Sequence, residues 1–255
     1  MIQAPAPLVL LPGILQPAQL RYAPLLRELD ARPAWPKELE VYAGPQPPAD
    51  YGVDTEVAGL LAFADARGAD RFHLYGYSAG ATVALAVAAR HGDRLLSLAL
   101  DEPATDFTDE DQQLLAAQYE HPLAELPPQE RLQVFARSLV RPGVEPPPPP
   151  PGPLPPGMEM RPAALAAFER AITGHRIDQD ALGAFPGPVY VSHGSLSNPR
   201  WDAMAERLAG RFRDVEVERY DGLHHLHTSH VAEPARVAAA LRRLWARAEE
   251  RAGTP

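Results

Sequence analysis

A serine flanked by two glycines is the clearest candidate for chemistry in this sequence. Gly76, Ser78 and Gly80 form the pattern G-x-S-x-G within FHLYGYSAGATVAL, between a strand-like segment and an alanine-rich helical segment. A sharp turn from strand to helix crowds the backbone, so residues without a Cβ atom are favoured on both sides of the serine. The turn would hold the hydroxyl at a helix N-terminus, where backbone N–H groups stabilise developing negative charge. The pattern also occurs by chance in glycine-rich turns, but its context predicts that Ser78 is a nucleophile.

Histidines are concentrated in one loop near the C-terminus. Four of the nine lie in YDGLHHLHTSHVAEP, at His224, His225, His227 and His230. A nucleophilic serine needs an imidazole base, and this loop follows the last predicted strand. A metal site is less favoured, because the spacing is not H-E-x-x-H and few carboxylates lie nearby. The loop therefore predicts one general base and no metal.

Composition limits the remaining possibilities. The 255 residues are 45% apolar and 22% charged, as in an ordinary globular domain. The net charge of −9 disfavours nucleic acid as a partner, and the lack of cysteine excludes thiolate catalysis and zinc–thiolate sites. The N-terminus does not resemble a signal peptide, and no apolar run reaches the roughly 18 residues of a membrane span. We therefore predict a cytoplasmic enzyme that acts on a small molecule without a cofactor; the oligomeric state does not follow from composition.

Strand-like and helical segments alternate at both ends of the chain. This alternation is typical of an α/β fold, a parallel sheet with helices on both faces. Hydrophobic patterning predicts six strands, at Leu8–Leu11, Leu39–Tyr42, Arg71–Tyr75, Leu95–Leu100, Val189–Ser192 and Val215–Tyr220. A helix is predicted over Asp54–Arg67, with Asp54 as its N-cap.

The alternation is interrupted between the fourth and fifth strands. Residues 104–186 contain three helical stretches, near 109–120, 128–139 and 161–173, and no clear strand. The run EPPPPPPGPLPPG can be neither helix nor central strand, because proline lacks an N–H donor. It predicts an extended polyproline II connector, with a ligand segment for an aromatic groove as the alternative. The predicted organisation is a core of residues 1–103 and 187–255, with residues 104–186 inserted between the nucleophile turn and the histidine loop.

These features together resemble the α/β-hydrolase family, and the resemblance covers nearly the whole chain. The segment LVLLPGI is similar to the family's strand and oxyanion loop, with Pro12 where a histidine is common and with Gly13 retained. The resemblance implies an oxyanion hole formed by the backbone N–H groups of Ile14 and Ala79. It also implies that residues 104–186 form a helical cap and that the family's first two strands are absent.

The acid departs from the family's usual pattern. After the fifth predicted strand, the family motif H-G-x-x-D ends here at Ser197, which cannot carry a charge, and Asp202 lies further on in the next helix. Two other carboxylates, Asp101 and Glu102, end the fourth strand, at the edge of the sheet where catalytic groups gather. The segment is similar to that of haloalkane dehalogenases, which place their acid after this strand, and this alignment falls on Glu102. Asp101 is the alternative, and a solvated turn pair is another.

The resemblance also ranks the histidines. The family's loop G-x-G-H, aligned on the first glycine after the last strand, places its histidine at His225. Counting back from Pro234, which opens the final helix, gives His227 instead. We favour His225 because it lies nearer the end of the strand, and we keep His224 and His227 as alternatives.

The resulting hypothesis is a carboxylesterase-like serine hydrolase that cleaves a small carboxylic ester or thioester through an acyl-enzyme. Ser78 attacks, His225 transfers the proton and Glu102 orients the imidazole. An acyltransferase or a C–C bond hydrolase with the same triad is an alternative, as is a non-catalytic binding protein of the same fold. An apolar acyl or alcohol group is suggested by apolar residues of the insertion, for which a place in the core of the insertion is the alternative: Phe107, Leu114, Leu115, Phe135 and Phe168.

Overall fold

A six-stranded parallel sheet forms the centre of the protein. The computed structural model describes residues 5–29, 32–117, 125–148 and 158–252. The strands are β1 (Leu8–Leu11), β2 (Ala34–Pro36), β3 (Phe72–Tyr77), β4 (Leu95–Asp101), β5 (Val189–Gly194) and β6 (Val215–Tyr220). They pair in the order β2-β1-β3-β4-β5-β6, and every pair is parallel. The predicted α/β fold with about six strands is confirmed.

Helices connect the strands and cover the sheet. They are α1 (Ala18–Leu26), α2 (Val53–Asp65), α3 (Ala79–His91), α4 (Asp109–Ala117), α5 (Pro128–Ser138), α6 (Arg161–Ile172), α7 (Gln179–Gly183), α8 (Arg200–Arg211), α9 (Ser229–Ala232) and α10 (Pro234–Ala252). None of these described helices combines the length and the apolar character that crossing a bilayer requires.

Strand β1 illustrates how both faces of the sheet are covered by helices. Leu8 and Leu10 belong to an apolar cluster with residues of α1 and α10, whereas Val9 and Leu11 belong to a second cluster with residues of α2 and α3. Successive side chains of a strand point to opposite faces, so a strand that is apolar throughout requires cover on both sides. Polar groups with a chemical role are therefore expected where the strands end.

Two local predictions were wrong. The segment predicted as the second strand forms a single 3₁₀ turn over Glu40–Tyr42, and the strand lies earlier, at β2. Because β2 is at the edge of the sheet, Pro36 is tolerated there despite its missing N–H group. The N-cap of α2 is Gly52 rather than Asp54, whose carboxylate pairs with Arg90 instead.

The described residues between β4 and β5 contain helices α4 to α7 and no strand of the sheet. Helices α4, α5 and α6 fall within the three predicted helical stretches, whereas α7 was not predicted. The predicted polyproline connector lies mostly outside the described residues, and its described part, residues 145–148, has no regular secondary structure.

Candidate active site

Ser78 lies at the sharp turn between β3 and α3. Its backbone has φ 53° and ψ −117°, a conformation that residues with a side chain rarely adopt. A Cβ atom on Gly76 would lie 2.5 Å from the Cα atom of Ala81, and one on Gly80 would overlap with the backbone of β1. Both positions therefore require glycine. The Ser78 N–H group donates to the carbonyl of Asp101 at 2.9 Å, which ties the turn to the end of β4.

Ser78, His225 and Glu102 form a continuous hydrogen-bonded chain. His225 Nε2 lies 2.9 Å from Ser78 Oγ, and His225 Nδ1 lies 2.7 Å from Glu102 Oε2. Because a carboxylate accepts hydrogen bonds, it favours the tautomer with the hydrogen on Nδ1, which leaves Nε2 to accept the serine proton. The other Glu102 oxygen accepts the Gly194 N–H group at 2.7 Å. His225 and Glu102 are 2% and 0% exposed, so the chain is shielded from water.

The remaining histidines of the loop make other contacts. His227 is exposed and His224 is half-buried, and the N–H group of His227 donates to the carbonyl of His224 at 2.8 Å. His230 is fully buried, with Nδ1 2.8 Å from Oδ2 of Asp101, the alternative acid. No group of three or more histidine or acidic residues in the described part of the chain is arranged to bind a metal ion.

Ser197 is buried beside Glu102. It is 1% exposed, and its hydroxyl only partly offsets the rise in the pKa of Glu102 that burial causes. Asp202 is turned to other partners, since its Oδ2 lies 2.6 Å from Arg141 and its Oδ1 lies 3.3 Å from His193 Nδ1. Among the predicted site residues, the structure thus brings together Ser78, His225 and Glu102.

Burial is the largest influence on the pKa values of His225 and Glu102. It lowers the pKa of His225 and raises the pKa of Glu102, because each charged form loses its hydration. The neighbouring Asp101 anion raises the pKa of Glu102 further, whereas the Arg200 and Arg21 cations lower the pKa of His225 further. A neutral imidazole that is ready to accept a proton is consequently favoured.

Two aromatic residues that sequence analysis missed pack on His225. The indole of Trp201 stacks on the imidazole with ring centroids 4.2 Å apart, and its N–H group donates to the carbonyl of Pro103 at 2.8 Å. The Tyr77 hydroxyl donates to the backbone carbonyl of His225 at 2.5 Å. Trp201 belongs to α8, and no spacing in the sequence indicates that this helix begins beside the histidine loop.

Ile14 and Ala79, the two residues of the predicted oxyanion hole, line the same cavity as Ser78. Neither of their backbone N–H groups has a hydrogen-bond partner among the described residues. For Ala79 this follows from its place as the first residue of α3, since the first N–H groups of a helix have no partner within it. Both N–H groups are therefore available to a ligand.

Ser78 and His225 open into a cavity of about 340 Å³, near the lower end of the range for ligand pockets. Helices α4, α5 and α6 supply most of its apolar wall. Of the five apolar residues of the insertion that suggested an apolar substrate group, Phe107 is buried in the core and Leu114 is exposed, so neither lines the cavity. The apolar wall contains the other three, with Leu139 from the end of α5 and two further residues of α6: Leu115, Phe135, Leu139, Leu165, Phe168 and Ile172.

Comparison with known proteins identifies the fold. Residues 32–131 match a family model described as alpha/beta hydrolase fold. ClbQ from the colibactin NRPS/PKS pathway is similar in structure, with a TM-score of 0.69 and 15% identity over 96% of this chain and 99% of that one. A thermophilic esterase from Thermogutta terrifontis has a TM-score of 0.64 and 19% identity, over 95% and 90% of the two chains.

A proline iminopeptidase from Mycobacterium smegmatis is also similar, with a TM-score of 0.63 and 19% identity, over 97% of this chain and 91% of that one. No curated protein matches the chain in sequence. At these identities the likeness shows a shared fold, and this fold hosts more than one chemistry.

Proposed function

We propose that this chain, which has the α/β-hydrolase fold, is a serine hydrolase that cleaves small carboxylic esters or thioesters. The observation that carries this proposal is the hydrogen-bonded chain from Ser78 through His225 to Glu102, whose serine end faces a cavity. Nucleophile, base and orienting acid are the three groups that acyl transfer by a serine requires.

In the first half of the proposed reaction, Ser78 Oγ attacks the carbonyl carbon while its proton passes to His225 Nε2. The carbonyl oxygen becomes an oxyanion, which accepts hydrogen bonds from the N–H groups of Ile14 and Ala79. Glu102 stabilises the imidazolium. The tetrahedral intermediate then collapses, and the alkoxide or thiolate leaves with the proton from Nε2, which produces the acyl-enzyme.

In the second half, water attacks the acyl-enzyme carbonyl and gives its proton to His225 Nε2. The second tetrahedral intermediate expels Ser78 Oγ, which regains the proton. The products are a carboxylic acid and free enzyme, and neither step requires a cofactor.

The cavity supports an apolar acyl or alcohol group as the substrate moiety. Side chains of α4, α5 and α6 form the apolar wall, and burial of apolar surface there would contribute about 25 cal/mol per Å² to binding. In this proposal residues 104–186 act as a cap that shapes the pocket, as the family resemblance implies.

The decisive experiment combines labelling and turnover. We expect a fluorophosphonate probe to label the purified protein at Ser78 and p-nitrophenyl esters of two to eight carbons to be hydrolysed. Ser78→Ala should abolish both signals. Ser195→Ala is the matched control, because Ser195 lies on the loop after β5, outside the cavity. Lack of labelling at Ser78 in the folded protein would refute the proposal.

A further inference from the structure

A second buried hydrogen-bonded chain lies next to the first. Asp101 immediately precedes Glu102, but its Oδ2 accepts from a different histidine, His230 Nδ1, at 2.8 Å. The same oxygen accepts from the Tyr75 hydroxyl at 3.0 Å and from the Ser229 hydroxyl at 2.9 Å. On the far side of the imidazole, Arg21 Nε donates to His230 Nε2 at 2.7 Å. Arg21, His230 and Asp101 are hereafter the Arg21–His230–Asp101 network.

The hydrogen bonds define the charges of this network. Because the Arg21 guanidinium can only donate, His230 Nε2 must accept, and the hydrogen of the imidazole is on Nδ1, facing Asp101. Burial, and then the Arg21 cation, lower the pKa of His230 to about 4. His230 is therefore a neutral bridge between a buried cation and a buried anion, with Arg21 6% and Asp101 1% exposed.

We propose that Arg21, His230 and Asp101 are positioning residues that hold the histidine loop in place and set the proton affinity of the His225–Glu102 pair. This inference rests on the proposed function for its meaning in catalysis. The existence of the Arg21–His230–Asp101 network depends only on the hydrogen bonds described above.

Arg21 reaches two points of the histidine loop, one directly and one through Tyr77. One terminal nitrogen of Arg21 donates to Thr228 Oγ1 at 3.0 Å. Its guanidinium also stacks over the ring of Tyr77 at 4.2 Å, and the Tyr77 hydroxyl donates to the carbonyl of His225. Arg21 thus connects α1 to the residue that carries the base and to the residue that precedes α9.

The two charges of the network act on the His225–Glu102 pair in opposite directions. The Asp101 anion raises the pKa of both groups, and the Arg21 cation lowers the pKa of His225. Because these groups are buried, water and salt screen them weakly. Removal of either the Arg21 cation or the Asp101 anion should therefore leave the effect of the other on the pKa of the pair unopposed.

Other titratable and charged groups also face the His225–Glu102 pair, and the proposed substitutions of Arg21 and Asp101 leave them unchanged. Arg200 from α8 and His224 from the loop lower the pKa of His225. His193 from β5 and the Ser197 hydroxyl lower the pKa of Glu102.

The hydroxyl of Tyr77 from β3 remains neutral, because burial raises its pKa above its usual range. On the Asp101 side, Tyr22 and Tyr75 are neutral for the same reason.

The test is the pH dependence of kcat/KM with a p-nitrophenyl ester. The acidic limb of this profile reports proton uptake by the His225–Glu102 pair as a unit. Arg21→Gln removes a cation, so the pair binds its proton more readily and the limb moves to higher pH. Asp101→Asn removes an anion and moves the limb to lower pH. Each shift should be at least about half a pH unit.

A double variant separates charge from structure. Glutamine and asparagine can still donate to and accept from His230, so Arg21→Gln/Asp101→Asn removes both charges and should return the limb close to its wild-type position. Tyr75→Phe is the matched control, since it deletes one hydrogen bond to Asp101 without changing a charge and should move the limb less than either single variant.

Shifts of both single variants in the same direction, or no shift in either, would overturn the proposal. If Asp101→Asn does not fold, Arg21→Gln compared with Arg21→Lys decides alone, because only the glutamine variant should move the limb. Titration of the His225 imidazole by NMR gives the same comparison without turnover. A protein in which Ser78 is not labelled but the NMR midpoints shift as expected would refute the proposed function and leave the network intact.

Discussion

The imidazole of His225 lies parallel to the indole of Trp201, with ring planes 11° apart and centroids separated by 4.2 Å. Trp201 is 1% exposed and its N–H group is bonded to the carbonyl of Pro103, so the indole is a fixed surface. The guanidinium of Arg200 lies 4.3 Å from the indole ring. The orientation of the candidate base is therefore set by packing as well as by its two hydrogen bonds.

Trp201→Leu should lower kcat by about 10- to 100-fold, with a smaller effect on KM, because a small displacement of a catalytic group is costly. Trp201→Phe should retain more activity, since it keeps an aromatic face. Trp245→Leu is the matched control, because Trp245 is also buried but packs near His73, away from the cavity. Equal losses of kcat in the Trp201→Leu and Trp245→Leu proteins, at equal loss of thermal stability, would contradict this role.

Single alanine substitutions in the histidine loop should separate the base from its neighbours. His225→Ala should reduce kcat/KM by about 10²- to 10⁴-fold, because the serine loses its proton acceptor. His224→Ala and His227→Ala should remain close to wild type, since neither side chain hydrogen-bonds Ser78 in the structure. Ester hydrolysis measured alongside circular dichroism tests this, and near-complete loss in His227→Ala would instead favour the other sequence alignment.

Glu102→Gln should reduce kcat by about 10³- to 10⁴-fold, because the imidazole loses the group that selects its tautomer. Since Ser197 is buried close enough to Glu102 to influence its pKa, and stands where the family motif has its acid, we expect Glu102→Gln/Ser197→Asp to recover part of the lost activity. Asp202→Asn serves as a control, as its carboxylate pairs with Arg141. A Glu102→Gln protein with unchanged kcat would eliminate Glu102 as the acid.

Leu115 and Leu114 are adjacent on α4, but Leu115 lines the cavity whereas Leu114 is 40% exposed. Leu115→Phe should reduce the cavity volume and lower kcat/KM for octanoate esters relative to acetate esters by about tenfold or more. Leu114→Phe should leave the ratio unchanged. Chain-length profiles of the two variants measure this, and identical profiles would show that α4 does not contact the acyl chain.

His73 should make the free energy of unfolding depend on pH. It is 0% exposed and bonds to Ser97 at 2.8 Å, and burial, then Arg32 and Arg71, lower its pKa from 6.5 to about 3. The unfolded chain binds a proton below pH 6.5 that the folded chain does not, so stability declines as pH falls from 6.5 towards 3. Each such histidine contributes about 1.4 kcal/mol per pH unit.

His73→Asn should flatten this slope relative to wild type in urea unfolding at pH 7, 6 and 5. The Asn amide can replace the hydrogen bond of Nδ1 but does not titrate. Equal slopes in both proteins would show that His73 is protonated in the folded state.

Strands β1 and β6 were predicted with their observed limits, because each shows a regular pattern: β1 is apolar throughout, and β6 begins with alternating apolar and charged residues. Strand β2 was missed, because Ala34–Pro36 is three residues long, contains a proline and lies at the edge, where the sequence is weakly constrained. The apolar segment that was chosen instead, around Val41, is buried as a 3₁₀ turn.

Local motifs could predict the nucleophile turn, but long-range contacts could not be read in the same way. Ser78 is surrounded in sequence by the glycines that its backbone needs. Trp201 and Arg21 reach the histidine loop through the packing of α8 and α1, and their sequence neighbours give no sign of this. Neither alignment of the loop gives His230 as the base, and in the structure both of its ring nitrogens are engaged by Arg21 and Asp101.

Asp101 and Glu102 are consecutive, yet they bind histidines five residues apart, His230 and His225. Glu102 turns away from the strand with φ 47°, which lets neighbouring carboxylates face different partners. An insertion or deletion of one residue at this strand end, or between the two histidines, would disrupt both pairs at once. For protein engineering, the end of β4 and the segment from 225 to 230 therefore constitute one exchangeable module, to be grafted or recombined together.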